Sequence, residues 1–315
     1  MLSRVADSLF WMSRYLERAE HVARVVNVNL NLALDRSLGA GSQWRRLLDS
    51  LPEAPFAAGQ IDAGAADRSA IDRAFRDSTR ACIGAARENA RQVREEISTE
   101  MWEEVNRLYL TISRAGDGSA PALGTHEFMT ATVNGVQMFQ GVTDATMTHG
   151  EGWLFMDLGR YLERAGSTAA LLAAQYSTVA AAPDDGVTGY VEWVGLLKSC
   201  CAFEAYCRHY TADVRPDRIA EFLVLNSDFP RSIHFAAGRI KHALHELSSR
   251  DGNRGGRADR LAGRLTASLD YGQIDEIIGE LPAYLNGIIR QTSLINAAAY
   301  QQYIAYPIDA ALSAS

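Results

Sequence analysis

Apolar residues recur every three to four positions along most of the chain, which is the spacing of one face of an α-helix. Clusters of glycine, proline and serine separate these segments, as expected for loops between helices. The pattern predicts an irregular connection over residues 51–67 and helices at residues 3–37, 67–97, 99–114, 125–147, 153–179, 188–212, 216–224, 230–249, 257–269 and 273–304.

Two sequence patterns occur twice in the same order. RYLERA begins at Arg14 and again at Arg160, and W-x-x-L-L-x-S begins at Trp44 and again at Trp193. The separation between the copies is nearly the same for both patterns, which indicates an internal duplication. We therefore predict an all-α helical bundle built from two duplicated halves, residues 1–147 and 148–315, packed as one compact unit around a pseudo-two-fold axis.

The charges of RYLERA are unusual for a free helix, because each copy places two arginines four residues apart, where like charges repel. In the second copy, the face that carries Arg160 and Glu163 continues with Ser167, Ala170 and Leu171 instead of further charges. A solvent-facing surface is rarely so apolar. The sequence therefore predicts that Arg160, Glu163 and Arg164 lie inside the protein or in a cleft.

Two interpretations of this charge cluster remain open. In the first, the arginines pair with buried carboxylates and Glu163 holds an arginine of the opposite half, so that the network sets the register of the helices. In the second, the arginines converge on an anionic ligand such as a carboxylate or a phosphate. The arginines concerned are Arg14, Arg18, Arg160 and Arg164.

A second candidate site lies in the first half, where Ser98 has the position of an N-cap at a helix restart. Trp102, Glu103 and Asn106 follow on one face of that helix, and a polar Asn beside a Trp makes them candidate substrate-binding residues. HALHEL, which contains His242 and His245, lacks the spacing of a zinc-binding helix, and the chain has no glycine-rich phosphate loop. We predict no metal site and no cofactor in this chain.

Composition narrows the possible partners. The chain has 315 residues and a formal net charge of −7, with an isoelectric point near 5.6, which disfavours nucleic-acid binding. No apolar run approaches membrane-spanning length, and the four cysteines lack the paired spacing of a zinc site. We expect no membrane association and a cytoplasmic location.

Four stretches together resemble the alpha-E proteins, a bacterial all-helical family named for its helices and an ER motif. They are MLSRVADSLFWMSRYLERAEHVARVV, ARENARQVREEISTEMWEEVNRLYL, LGRYLERA and FLVLNSDFPRSIHF. Carried over to this chain, the ER motif is Glu17 with Arg18 and Glu163 with Arg164.

The resemblance implies a role beside other proteins. Members of the family are typically encoded next to a circularly permuted ATP-grasp ligase and a transglutaminase-like cysteine peptidase. The leading hypothesis is therefore an accessory subunit of an ATP-dependent amide or peptide ligase, in which the ER motifs form a central polar cluster or a cleft for a small anionic or peptide substrate. ATP and Mg would then belong to the ligase.

Two other classes of function are open. The chain could be an aminoacyl or peptidyl transferase that uses Glu163 or Glu17 as a general base, which requires an accessible carboxylate with a suitable pKa. It could also be a purely structural scaffold, which requires a charge cluster satisfied within the protein and no cavity beside it.

Overall fold

The computed structural model describes residues 1–34, 51, 68–114, 123–179, 186–211, 213–250 and 255–305, and the regular elements of these residues are helices without a strand. The all-α fold predicted from the apolar spacing is confirmed. The helices are α1 (Ser3–Leu34), α2 (Arg68–Gln92), α3 (Thr99–Arg114), α4 (Thr125–Thr146), α5 (Glu151–Val179), α6 (Gly186–Ser199), α7 (Phe203–Tyr210), α8 (Pro216–Leu225), α9 (Ile233–Arg250), α10 (Arg257–Asp270), α11 (Ile274–Ile277) and α12 (Leu281–Ala299).

The long helices α1 and α5 pack against each other at the centre of the fold, and each carries one copy of RYLERA. Helices α2 and α4 pack on α1, and α3 contacts both of them. In the same chain order, α9 and α12 pack on α5, and α10 contacts both of them. The two groups of four helices therefore have corresponding neighbours.

A glycine allows the close contact between the central helices. A Cβ atom added to Gly159 of α5 would collide with the backbone carbonyl of Phe10 on α1 and would come 3.2 Å from the Cγ atom of Arg14. No larger residue fits there without moving a helix backbone. Because α1 and α5 approach so closely one turn before the second ER motif, the two motifs lie within reach of each other.

Two predicted helices are divided in the structure. The prediction of one continuous helix at 188–212 was wrong. Cys201, which lies between α6 and α7, has a positive φ of 53° that a helix does not allow. The predicted helix at 273–304 consists of α11, a short 3-10 turn, α12 and a final π-helical turn at Tyr300–Ile304.

The predicted helix restart after residue 97 is confirmed, since the Ser98 hydroxyl accepts a hydrogen bond of 3.1 Å from the Met101 backbone N–H at the start of α3. Trp44 and most of the predicted connection 51–67 lie outside the described residues. Across the described ranges, every helix is too short or too polar to cross a lipid bilayer.

Candidate functional site

The two ER motifs bind each other. Arg164 of the second motif donates to Glu17 of the first, with 2.6 Å from Nε to Oε1 and 2.7 Å from Nη2 to Oε2. Arg18 of the first donates to Glu163 of the second, with 2.5 Å from Nε to Oε1 and 3.0 Å from Nη2 to Oε2. All four side chains are buried. The carboxylate of each motif therefore forms a bidentate ion pair with the guanidinium of the other motif.

Arg14 joins the same cluster from one turn earlier on α1. Its Nε and Nη2 atoms donate to Oε2 of Glu163 at 2.9 and 2.7 Å, and its Nη1 atom donates to Oδ1 of Asn296 on α12 at 3.2 Å. Its guanidinium also lies over the ring of Trp11 at 4.9 Å. The repulsion between Arg14 and Arg18 is relieved because one carboxylate, Glu163, binds both.

Arg160, the counterpart of Arg14 in the second copy, is placed differently. It is half-buried, and within the described ranges it forms neither a hydrogen bond nor an ion pair. Its positive charge still acts at a distance, where it contributes to the lowered pKa of Glu17. It also partly opposes the rise that burial causes in the pKa of Asp157. The structure thus brings Arg14, Arg18 and Arg164 onto the motif glutamates and leaves Arg160 beside the cluster.

The cluster extends to Glu20 and Arg231, two residues that the sequence did not single out. Glu20 of α1 is fully buried, and its Oε1 atom binds both Arg24 and Arg231. Arg231 also lies 3.7 Å from Oε1 of Glu17. A sequence signal for Arg231 is its presence in the stretch FLVLNSDFPRSIHF that carries the family resemblance.

Local hydrogen bonds hold the segment before α9 that carries Arg231. Oδ1 of Asn226 accepts the backbone N–H groups of Asp228 and Phe229 at 2.9 and 2.8 Å, which forms a turn at the end of α8. The Ser232 hydroxyl then accepts the Phe235 N–H at 3.0 Å and caps α9. This geometry also lets the Pro230 carbonyl accept a hydrogen bond of 3.1 Å from Nη1 of Arg164.

The protonation states of the cluster follow from burial and from the neighbouring charges. Burial by itself would raise the pKa of Glu17, but the charge and hydrogen bonds of Arg164 and the charge of Arg231 lower it to about 2. Burial and the charges of Arg14 and Arg18 act on Glu163 in the same opposing way, and its pKa is also lowered. Both carboxylates are therefore ionised at neutral pH and are weak bases.

His21, one turn after the first motif, is a further titratable group beside the cluster. Burial, assisted by the charge of Arg231, lowers its pKa to about 4. The imidazole is therefore neutral at neutral pH, although carboxylates lie nearby.

A cleft of about 570 Å³ opens beside Glu163 between α1, α5 and α12. This volume is in the range of sites that hold small molecules. The α1 wall carries Arg14, Arg18 and His21, and the α12 wall carries Thr292, Ser293 and Asn296. Arg160, Glu17 and Arg164 are not part of the lining. The cleft therefore borders the pair of Arg18 and Glu163, together with Arg14, and not the pair of Glu17 and Arg164.

The second candidate site from the sequence lies elsewhere. Trp102 and Asn106 meet at Arg87 of α2, whose Nε donates to Oδ1 of Asn106 at 2.7 Å and whose guanidinium lies 5.6 Å from the Trp102 ring. Glu103 is exposed on the same helix. None of the three residues lines the cleft beside Glu163. Over the described residues, no group of three or more His, Cys, Asp or Glu side chains has an arrangement that could hold a metal ion.

Comparison with known proteins gives distant relatives of greater length. An uncharacterized protein of Mycobacterium bovis is 24% identical over 306 residues, which cover 87% of this chain and 33% of the relative. Two uncharacterized proteins of Mycobacterium tuberculosis match with the same identity and coverage. The chain thus spans about a third of the length of these relatives. No solved structure matches it.

The paired motifs agree with the family comparison. The model of the Alpha-E family, described as a predicted alpha-helical domain with a conserved ER motif, matches residues 1–304. This range contains both ER motifs and every described helix. The chain belongs to the Alpha-E family.

Proposed function

We propose that this protein is a helical accessory subunit of an ATP-grasp carboxylate-amine ligase system, and that the cleft beside Glu163 binds an anionic group of the substrate. The observation that carries the proposal is a cleft of small-molecule size that has two guanidinium groups, Arg14 and Arg18, in its wall. ATP and Mg would be bound by the ligase. A transglutaminase-like peptidase is a further partner that the family resemblance implies.

The size of the relatives supports a role beside other domains. About two thirds of their length lies outside the match, so that the matching region is part of a longer chain in these relatives. The identity of the ligase partner rests on the family resemblance.

The geometry favours binding over catalysis by the motif glutamates. A general base works best with a pKa near the operating pH, whereas the pKa of Glu17 is about 2 and that of Glu163 is also lowered. The oxygens of both carboxylates also accept hydrogen bonds from arginines. The transferase hypothesis is therefore the weaker one. The scaffold hypothesis requires a cluster without an adjoining cavity, and the cleft argues against it.

We further propose that residues 1–147 and 148–315 are the two halves of a duplication related by a pseudo-two-fold axis. Support comes from the exchange of partners between the ER motifs, in which Glu17 binds Arg164 while Glu163 binds Arg18. An exchange of this kind is the rule at two-fold interfaces, where residue i contacts j and j contacts i. The corresponding neighbours of α1 and α5 give further support.

The experiment measures ATP-dependent amide formation by a purified ATP-grasp ligase from the same genome, with and without this chain. Gly166→Leu fills the cleft, because a Cβ at Gly166 comes within 3.7 Å of Oγ1 of Thr292, while the Glu–Arg pairs stay intact. Gly141→Leu on α4 is the matched control, since a Cβ there has no neighbour within 4 Å.

We expect the wild type and Gly141→Leu to stimulate the ligase, and Gly166→Leu to bind it without stimulation. A wild-type chain that neither binds the ligase nor changes its rate would contradict the partnership. Equal stimulation by Gly166→Leu and wild type would contradict the role of the cleft.

A further inference from the structure

The α12 wall of the cleft presents hydrogen-bond acceptors. The Thr292 hydroxyl donates its proton to the Ile289 carbonyl at 2.9 Å, and the Ser293 hydroxyl donates to the same carbonyl at 3.0 Å. A hydroxyl has only one proton to donate but two lone pairs. Because both protons are used inside α12, the oxygens of Thr292 and Ser293 offer lone pairs to a ligand in the cleft.

The α1 wall has the opposite character. Arg14 and Arg18 bring two positive charges to the lining of the cleft, and both bind Glu163, which lines it as well. Asn296 of the α12 wall contacts the α1 wall, since its Oδ1 atom accepts a hydrogen bond from Arg14. One end of the cleft therefore suits an anionic acceptor, and the α12 side suits a group that only donates hydrogen bonds.

Apolar side chains also line the cleft. Trp11 and Val22 come from α1, Leu162 from α5 and Ile289 from α12. A ligand that extends from the guanidinium groups to α12 therefore contacts apolar surface. An apolar part of the ligand strengthens binding there, because the contact removes apolar area from water.

We propose that the ligand is a zwitterion, namely an α-amino acid or dipeptide with an apolar side chain and free termini. Its carboxylate faces Arg14 and Arg18, and its ammonium group donates to the oxygens of Thr292 and Ser293. An ammonium group has three donors and no acceptor, which complements hydroxyls whose protons are already used. This inference rests on the proposed anion-binding function of the cleft and specifies the substrate class for it.

The test is isothermal titration calorimetry of the full chain with L-leucyl-L-leucine, N-acetyl-L-leucyl-L-leucine and L-leucyl-L-leucine amide, and with inorganic phosphate as a simple anion. We expect the free dipeptide to bind, and acetylation or amidation to weaken binding by about tenfold or more, because each removes a charge-assisted contact. Phosphate should bind more weakly than the free dipeptide, because it makes no contact with the apolar surface.

Variants locate the ammonium contact. Thr292→Val combined with Ser293→Ala removes both acceptors and should abolish the preference for the free dipeptide over its N-acetyl form. Thr132→Val on α4 is the matched control, since Thr132 is also buried, donates to a carbonyl of its own helix at 3.0 Å and lies outside the cleft. This control should keep the wild-type preference, and circular dichroism checks that all variants are folded.

The outcomes separate the two proposals. Binding of the N-acetyl dipeptide as tight as that of the free dipeptide, or binding of phosphate alone, would overturn the zwitterion and leave an anion site. A preference for the free amine that survives the double substitution would overturn the assigned ammonium contact. Absence of binding for every probe, phosphate included, would contradict the anion-binding function itself.

Discussion

The two copies of RYLERA have identical sequences and different surroundings. In the first copy, Arg14 binds Glu163 and Asn296 and lines the cleft. In the second copy, Arg160 is half-buried and has no ion pair among the described residues. The exchange between glutamates and arginines is the same for both copies, whereas the helices packed around each copy decide what its first arginine does.

The neighbours of the two glutamates explain this difference. Glu163 receives a second guanidinium from Arg14 of α1, the opposite central helix. Glu17 has Arg231, from the segment before α9, at 3.7 Å, and a hydrogen bond of 3.3 Å from Gln140 of α4. Since Arg231 and Gln140 supply positive charge and a donor at Glu17, that carboxylate does not require Arg160. Protein groups surround the glutamate of the first motif, whereas a cleft lies beside the glutamate of the second.

The largest expected effect comes from removing the carboxylate that both arginines of the first copy share. Glu163→Gln leaves Arg14 and Arg18 close together and without that counter-charge, which should lower the free energy of unfolding by about 3–5 kcal/mol. Urea denaturation, monitored by circular dichroism, measures this change in the free energy of unfolding. Glu88→Gln, which breaks the exposed pair with Arg91, is the control and should have a much smaller effect. Equal effects of the two substitutions would show that the buried cluster has no special role in stability.

The second prediction compares the first arginines of the two copies directly. Arg14→Met should lower the free energy of unfolding by about 3 kcal/mol, because Glu163 loses one of its two guanidinium partners. Arg160→Met should change it by less than about 1 kcal/mol, because Arg160 forms no ion pair in the described ranges. Both values come from urea denaturation under the same conditions. If Arg160→Met is the more damaging substitution, the comparison is wrong.

The third prediction uses pH to examine the first copy. The pKa of His21 is about 4 in the folded protein and 6.5 ordinarily, so the unfolded state binds more protons between these values. Stability is therefore fully present above pH 6.5 and declines as the pH falls toward 4, by about 3 kcal/mol from this group. Thermal unfolding at intervals between pH 7 and pH 4 measures the decline.

The variant His21→Leu should flatten the pH dependence in that window. A decline that continues below about pH 4.5 should persist in the variant, because Glu17 and Glu163 have lowered pKa values and lose their contribution when they are protonated. An unchanged slope between pH 6.5 and pH 4 in the variant would assign the effect to another group.

The smallest predicted effect is that of Gly166→Ala, and Gly159 of the same helix provides the contrast. Gly166→Ala should raise the free energy of unfolding by about 0.5–1 kcal/mol, because alanine favours the helix and the added Cβ makes only an ordinary contact with Thr292. Gly159→Ala should instead destabilise the protein, because its Cβ collides with the backbone of α1. Differential scanning calorimetry of both variants measures the contrast. Similar shifts of the melting temperature would contradict the described contact between α1 and α5.

The sequence predicted the fold because long helices carry a long apolar pattern. Helix α5, for example, was predicted at 153–179 and is observed at Glu151–Val179. The sequence also indicated that the second RYLERA copy lies inside the protein, because the residues after Glu163 on its face are apolar. The break at Cys201 was missed, since a single residue with positive φ leaves no mark on the apolar spacing.

The partners within the cluster could be predicted only in part. Glu20 looks like any surface glutamate of α1 until Arg231 is placed against it by the packing of α9. Asn296 is far from Arg14 along the chain, and only the packing of α12 on α5 brings the two together. Trp102 and Asn106 both contact Arg87, whereas Glu103 is exposed, and the pattern of one helix face does not reveal which cavity it borders.

The central claim is that the cleft beside Arg14 and Arg18 binds an anion. The most direct test measures the binding of N-acetyl-L-leucine, an anion with an apolar group, by isothermal titration calorimetry of the wild type and of Gly166→Leu. The cleft beside Arg14 and Arg18 predicts saturable binding of one ligand per chain in the wild type and at least about a tenfold loss in Gly166→Leu. Binding of equal strength in both proteins, or its absence in the wild type, would contradict an anion site at the paired ER motifs.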